Sequence, residues 1–219
     1  MLAGAGSAKV IRSIITLGLA FGLTPLTSYT TNDPAGCIAI QAGMPLEMRG
    51  CATQLTAHWA VMAKHGYPLE PPDAIEDKNY DLAFFPHDGK APIWRDARPG
   101  DALIAKCNPL SVADQTIESL FTWTFLDPHF VSYKAHAMFL FKEYGKYKML
   151  VYSGPVYPGC SGGPIVHNGM VAGITSQYFN RDYPAHQRDN HTSIGAHDGD
   201  GMAIPASVVM AEFHRLIHE

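Results

Sequence analysis

Charge is scarce in this chain. Of its 219 residues, 16% are Asp, Glu, Lys or Arg, 47% are hydrophobic, and the formal net charge is −4. A chain this apolar and this weakly charged is not intrinsically disordered. A basic excess is also lacking, since 16 Lys and Arg face 20 Asp and Glu. No electrostatic footprint for nucleic acid is therefore present. No long continuous apolar run occurs, which excludes a polytopic membrane protein. Cysteine is limited to Cys37, Cys51, Cys107 and Cys160. An even number is compatible with an oxidising compartment, but three pairings are open and buried free thiols are the alternative. Glycine (20) and proline (16) are by contrast plentiful, which suits a turn-rich β fold better than a helical one. The length leaves room for one large domain or two small ones with a real core.

Residues 1–30 read differently from the rest. Lys9 and Arg12 precede an apolar stretch from Ile14 to Leu26, broken by Pro25, and Thr27 to Thr31 are small or polar apart from Tyr29. A basic start, a short apolar core and a polar exit are the layout of an export signal or an uncleaved membrane anchor. A buried strand or helix at the start of the domain is the rival reading. The first implies a secreted, periplasmic or membrane-tethered protein.

Beyond the leader, short apolar runs alternate with turn signals. Strands are expected at Cys37–Gln41, Glu47–Leu55, Trp59–Ala63, Tyr80–Phe85, Ala102–Lys106, Thr116–Phe125, Ala135–Glu143 and Lys146–Tyr152, the last two joined by a turn at Gly145. Ile165-Val166 and Met170–Ser176 form a hairpin pattern with Asn168-Gly169 at its turn. The spacing of Val209, Phe213, Leu216 and Ile217 is helical and follows a plausible start at Pro205-Ala206-Ser207. Many short strands and one terminal helix predict an all-β sandwich or barrel architecture.

The segment Gly159-Cys160-Ser161-Gly162-Gly163-Pro164 carries chemistry. A nucleophilic serine needs a tight turn that projects its hydroxyl and aims backbone N–H groups at one point, where an oxyanion forms. Glycine permits both the backbone angles and the close approach. The bland alternative is a glycine-rich turn between strands. A serine nucleophile also needs a base, and the base an orienting carboxylate. Upstream lie Trp59-Ala60-Val61-Met62-Ala63-Lys64-His65 and Asp81-Leu82-Ala83.

With these three segments in this order, the chain resembles the trypsin-like (chymotrypsin-fold) serine peptidases. Its text is most similar to the bacterial HtrA-type branch, without a PDZ domain. Arg98-Pro99-Gly100-Asp101-Ala102-Leu103 through Asn108-Pro109 resembles that branch's G-D-x-V…G-N-P segment. Gly199-Asp200-Gly201-Met202-Ala203-Ile204-Pro205 resembles its G-x-G-(F/M)-A-I-P. The resemblance runs from about Cys37 to the C-terminus. It implies two β-barrels with the site in the cleft between them: residues 31–97 as the first, 98–205 as the second, and 206–219 as the terminal helix.

The resemblance implies roles residue by residue. Ser161 is the nucleophile, His65 the base and Asp81 the orienting acid, with the N–H groups of Gly159 and Ser161 as the oxyanion hole. Ser176 matches the strand that lines the substrate cleft. Pro155 to Pro158 and Tyr178 would bound the primary pocket, which then shows no charged specificity residue and favours small or apolar side chains. Because His65 and Asp81 stand only 16 positions apart, Asp73 and Asp77 stay open as alternative acids. His58, one residue before Trp59, is read as a surface or turn histidine. In the family fold Cys107 and Cys160 become neighbours and are candidates for a bridge.

The stretch from Asn180 to Asp200 carries His186, His191, His197, Asp182, Asp189, Asp198 and Asp200, but their spacing matches no compact ligand motif. It reads as a polar loop, and neither metal nor organic cofactor is expected. The expected activity is hydrolysis of a polypeptide substrate through an acyl-enzyme. The alternative from another class is a binding or structural module on the same fold with catalysis lost.

Overall fold

The computed structural model describes residues 26–31, 36–43, 48–66, 71–108, 131–143, 147–156, 159–178 and 200–218. The first six strands are β1 (Leu26–Thr31), β2 (Cys37–Gly43), β3 (Met48–Gln54), β4 (Trp59–Met62), β5 (Ile75–Glu76) and β6 (Ala83–Pro86). They form one antiparallel sheet in the order β1-β2-β3-β4-β6-β5. Six more strands close into a barrel: β7 (Ala102–Cys107), β8 (Val131–Glu143), β9 (Tyr147–Pro155), β10 (Pro164–His167), β11 (Met170–Tyr178) and β12 (Asp200–Pro205). Helix α1 (Ala206–His218) follows β12 directly. The architecture is the all-β, two-barrel type with a C-terminal helix.

Strand alternation explains how the two halves meet. Ala60 and Met62 of β4, with Ala83 and Phe85 of β6, turn into the first sheet's own cluster beside Ile38, Ile40 and Ala52. Their sequence neighbours Val61, Leu82 and Phe84 face the other way. These pack against Met149, Val151, Ile174, Met202 and Ile204 of the barrel and against Val209 and Phe213 of α1. Phe213 sits 5.5 Å from the Phe84 ring and 5.7 Å from Trp59. The helix therefore wedges against both halves. The barrel interior mixes small residues (Ala105, Ala135, Ala137, Ala172, Ala203) with a few large ones, chiefly Tyr152, Leu150 and Ile165. A small barrel is filled by such alternation.

Most expected elements appear within a few residues of their predicted ends, and two differ. Leu26–Thr31, assigned to the leader by its sequence, forms β1 and pairs with β2 from Leu26↔Gly43 to Thr31↔Ile38. The polar run Thr27 to Thr31 has β-branched residues that an edge strand accommodates, so the paired chain begins earlier than residue 31. Strand β8 begins at Val131 rather than Ala135, because its first residues pair with β7 at Cys107↔Val131. The hairpin turn is as expected. Asn168 (φ +47°) and Gly169 (φ +76°) both take left-handed angles, which a two-residue type I′ turn requires. The expected strand Thr116–Phe125, the Gly145 turn, most of the Asn180–Asp200 loop and residues 1–25 lie outside the described residues. Among those described, no helix is long and apolar enough to cross a membrane.

Candidate active site

His65 lies on a short 3-10 turn, Lys64–Gly66, just past the end of β4. Asp81 lies just before β6, the strand that pairs with β4. The antiparallel pairing brings one strand's end to the other's beginning. The Lys64 N–H donates to the Asp81 carbonyl (3.3 Å), and the His65 N–H donates to Asp81 Oδ1 (2.8 Å). A separation of sixteen positions is thus enough, because β4 and β6 are both only four residues long.

The side chains complete a chain of hydrogen bonds across the two halves. His65 Nδ1 lies 2.6 Å from Asp81 Oδ2, and His65 Nε2 lies 2.8 Å from Ser161 Oγ. A carboxylate only accepts, so Nδ1 carries the proton and Nε2 is left to accept from the serine hydroxyl. Ser176 Oγ donates to Asp81 Oδ2 at 2.6 Å. The bond from Asp81 raises the His65 pKa above its ordinary 6.5, against the opposing effect of burial. Burial pushes the Asp81 carboxyl up, but the bonds from His65 and Ser176 outweigh it and hold Asp81 below the usual range.

The alternative acids are placed elsewhere. Asp73 is exposed. Asp77 is buried, and its carboxylate accepts from the N–H groups of Asn79 and Tyr80 and pairs with Arg215. His58 is exposed and pairs with Asp88 at 2.9 Å.

Ser161 sits on a turn whose backbone is tied down carbonyl by carbonyl. The Gly159 carbonyl accepts from the Asn108 N–H (3.4 Å) and the Cys51 thiol (3.3 Å). The Ser161 carbonyl accepts from the Cys51 N–H (3.1 Å), and the Gly162 carbonyl from the Thr53 hydroxyl (2.8 Å). The Gly162 N–H donates to the Thr175 carbonyl at 2.7 Å. With these carbonyls held on one side, the N–H groups of Gly159 and Ser161 take no hydrogen-bond partner among the described residues. Glycine is obligatory here. Gly159 has φ +94° and Gly162 φ +82°, and a Cβ on Gly162 would strike the Cys51 carbonyl.

Cys107, at the end of β7, and Cys160 are joined by a disulfide, as the family resemblance suggested. Cys37 and Cys51 are buried thiols. Cys51 and Thr53 were not singled out in the sequence, although Thr53 and Gln54 are polar residues in a buried strand. Polarity where an apolar residue is expected is the signal that could have found Thr53.

A bulge aims Ser176. Thr175 pairs with Ala203 and Gln177 with Met202, so Ser176 is the extra residue of β11. Strand β10 pairs with β11 only as far as Pro164↔Ile174, so β11 runs on past it beside the Ser161 turn. Pro155 and Tyr178 end β9 and β11 and flank the start of β12, at Pro155↔Asp200 and Tyr178↔Gly201. Among the described residues, no group of three or more His, Cys, Asp or Glu is placed to hold a metal ion.

No protein-family model matches the sequence, and no curated protein matches it. Solved structures do. The active form of the Rv3671c protease from M. tuberculosis aligns with 92% of this chain and 94% of its own, at TM-score 0.56 and 15% identity. The HtrA-type protease AlgW with a tripeptide aligns with 84% of this chain at TM-score 0.57 and 16% identity, and this chain spans 61% of it. A scabies mite inactivated protease paralogue aligns with 86% of this chain and 98% of its own, at TM-score 0.55 and 11% identity. The chain has the chymotrypsin-type fold of the HtrA-like serine proteases.

Proposed function

We propose that the protein is a serine endopeptidase that hydrolyses peptide bonds through an acyl-enzyme. The observation that carries this reading is the continuous hydrogen-bonded series Asp81–His65–Ser161, contributed by both halves of the fold. Ser161 Oγ attacks the scissile carbonyl carbon while His65 Nε2 takes the hydroxyl proton. The same nitrogen returns that proton to the leaving amine as the C–N bond breaks. Asp81, hydrogen-bonded to Nδ1, stabilises the imidazolium formed in between. The N–H groups of Gly159 and Ser161 receive the oxyanion. Water then attacks the ester carbonyl, again through His65, and releases the acid and Ser161.

A polypeptide would add along β11 past the end of β10, in the manner of strand addition. Pro155 and Tyr178 stand at the adjoining strand ends, and no charged residue stands among Pro155 to Pro158. Small or apolar side chains at the cleaved position follow. AlgW, a protein of the same fold, is found with a tripeptide. An exported or membrane-tethered location is supported by the Cys107–Cys160 disulfide, since such bonds persist in oxidising compartments.

Treatment with a fluorophosphonate probe tests the reading. Labelling of the folded protein that disappears in Ser161→Ala supports it. Folded protein that takes no label points instead to a binding module on the same fold.

A further inference from the structure

Asp77 is a fully buried carboxylate outside the triad. Its Oδ1 accepts from the N–H groups of Asn79 (2.5 Å) and Tyr80 (2.7 Å). Its own N–H donates to the Leu82 carbonyl (2.8 Å), closing the loop that carries Asp81. Its carbonyl accepts from Lys64 Nζ (2.6 Å), and the Lys64 N–H in turn reaches the Asp81 carbonyl. The residue before the base is thereby bound to both ends of the acid's loop. Oδ2 then receives Arg215 Nη2 at 2.6 Å, from helix α1, 138 residues downstream. Glu212, one turn earlier on the helix, holds the Arg215 Nε at 2.7 Å and accepts from Asn79 Nδ2 at 3.4 Å.

This arrangement matters because of chain connectivity. His65 and Asp81 belong to the first sheet, whereas Ser161 and Ser176 belong to the barrel. Helix α1 continues straight from β12 of that barrel. Its Arg215 is thus a tether from the half that holds the nucleophile to the loop that holds the acid. The hydrophobic contacts of Phe213 with Trp59 and Phe84 fix where the helix lies, but they are non-directional. A charge-assisted bond to one carboxylate oxygen is directional and sets the loop's position.

We propose that Asp77 and Arg215 are positioning residues, which hold the His65–Asp81 pair in register with Ser161 and Ser176 across the junction of the two halves. The role rests on the peptidase reading. It predicts that loss of the tether lowers turnover rather than substrate binding, because misplacement of about 1 Å costs on the order of a hundredfold.

Removing Arg215 alone leaves a buried, unpaired carboxylate and unfolds part of the population. The principal variant is therefore Asp77→Asn with Arg215→Met, which removes both charges and keeps an acceptor for Asn79 and Tyr80. Active sites are counted with a fluorophosphonate, and kcat and KM are measured per counted site, well below the melting temperature. The expected result is a roughly tenfold to hundredfold loss of kcat with KM little changed. Arg215→Lys, which keeps the charge, is expected to recover most of the turnover. If the double variant does not fold, Asp77→Asn alone carries the same comparison. Wild-type kcat per counted site in the variants, whatever their melting temperature, overturns the positioning role alone. Folded wild-type protein that takes no label overturns the peptidase reading and this role with it.

Discussion

Asp81 is held chiefly through its own carboxylate, whereas Ser161 is held chiefly through the backbone carbonyls of its turn. Asp81 is fixed by what it accepts, from the His65 N–H, His65 Nδ1 and Ser176 Oγ. The Ser161 turn is fixed by carbonyl bonds to Cys51, Thr53 and Asn108 and by a disulfide. Side-chain bonds can be removed one at a time without moving the chain. A backbone-held turn fails when its conformation is denied. Substitutions in the two regions should therefore fail in different ways.

The largest effect is expected in the side-chain-held region. Asp81→Asn should lower kcat by about ten-thousandfold while the protein stays folded, because the imidazole loses its correct tautomer and its counter-charge. Asp73→Asn, at an exposed position, should leave kcat unchanged. Steady-state kinetics on both variants checks the pair.

The barrel side should respond first in stability. The Cys107–Cys160 bridge closes a loop with a sequence separation of 53, and chain entropy assigns such a loop about 4 kcal/mol. Cys107→Ser with Cys160→Ser should therefore lower the denaturation midpoint markedly, as read by urea titration. Gly159→Ala is expected to act through the turn itself. With φ at +94° the new side chain strains the backbone, and misalignment of one oxyanion donor costs roughly a hundredfold to a thousandfold in kcat.

The smallest effect is a displacement along the pH axis. In the proposed mechanism only neutral His65 takes the serine proton, and the His65 pKa is raised above 6.5, chiefly by its bond to Asp81. Turnover should fall as pH drops through a value above 6.5, and Asp81→Asn should move that limb downward. The linked stability has the opposite sense. A raised histidine pKa stabilises the fold fully below about pH 6.5 and loses that contribution as pH rises through the folded value. The lowered Asp81 pKa contributes above about 3.8, and that contribution is lost as pH falls. A pH–rate profile beside a pH–melting profile separates the two.

The same contrast decides what could be read from the sequence. A turn built by backbone needs glycines at set places, so Gly159, Gly162 and Gly163 announce Ser161 directly. A carboxylate needs only an aspartate within reach, so Asp81 is favoured by its Asp81-Leu82-Ala83 segment alone, and Asp73 and Asp77 stay open until β4 and β6 are paired. Asp77 illustrates the limit: its partner Arg215 lies 138 residues away, and no local spacing links them. Alternation and turn chemistry located most described strands. Strands β5 and β12 are not expected from the sequence, and β1 reads as leader with a strand as the rival reading, because a strand of threonine and serine carries little hydrophobic signal.

The central claim is that Ser161 is a nucleophile activated by His65. Intact-mass analysis of folded protein after fluorophosphonate treatment tests it most directly. One adduct per chain, mapped to Ser161 and forming far more slowly in His65→Ala, is the predicted result. Folded protein whose mass does not change, or an adduct on any other residue, would contradict it.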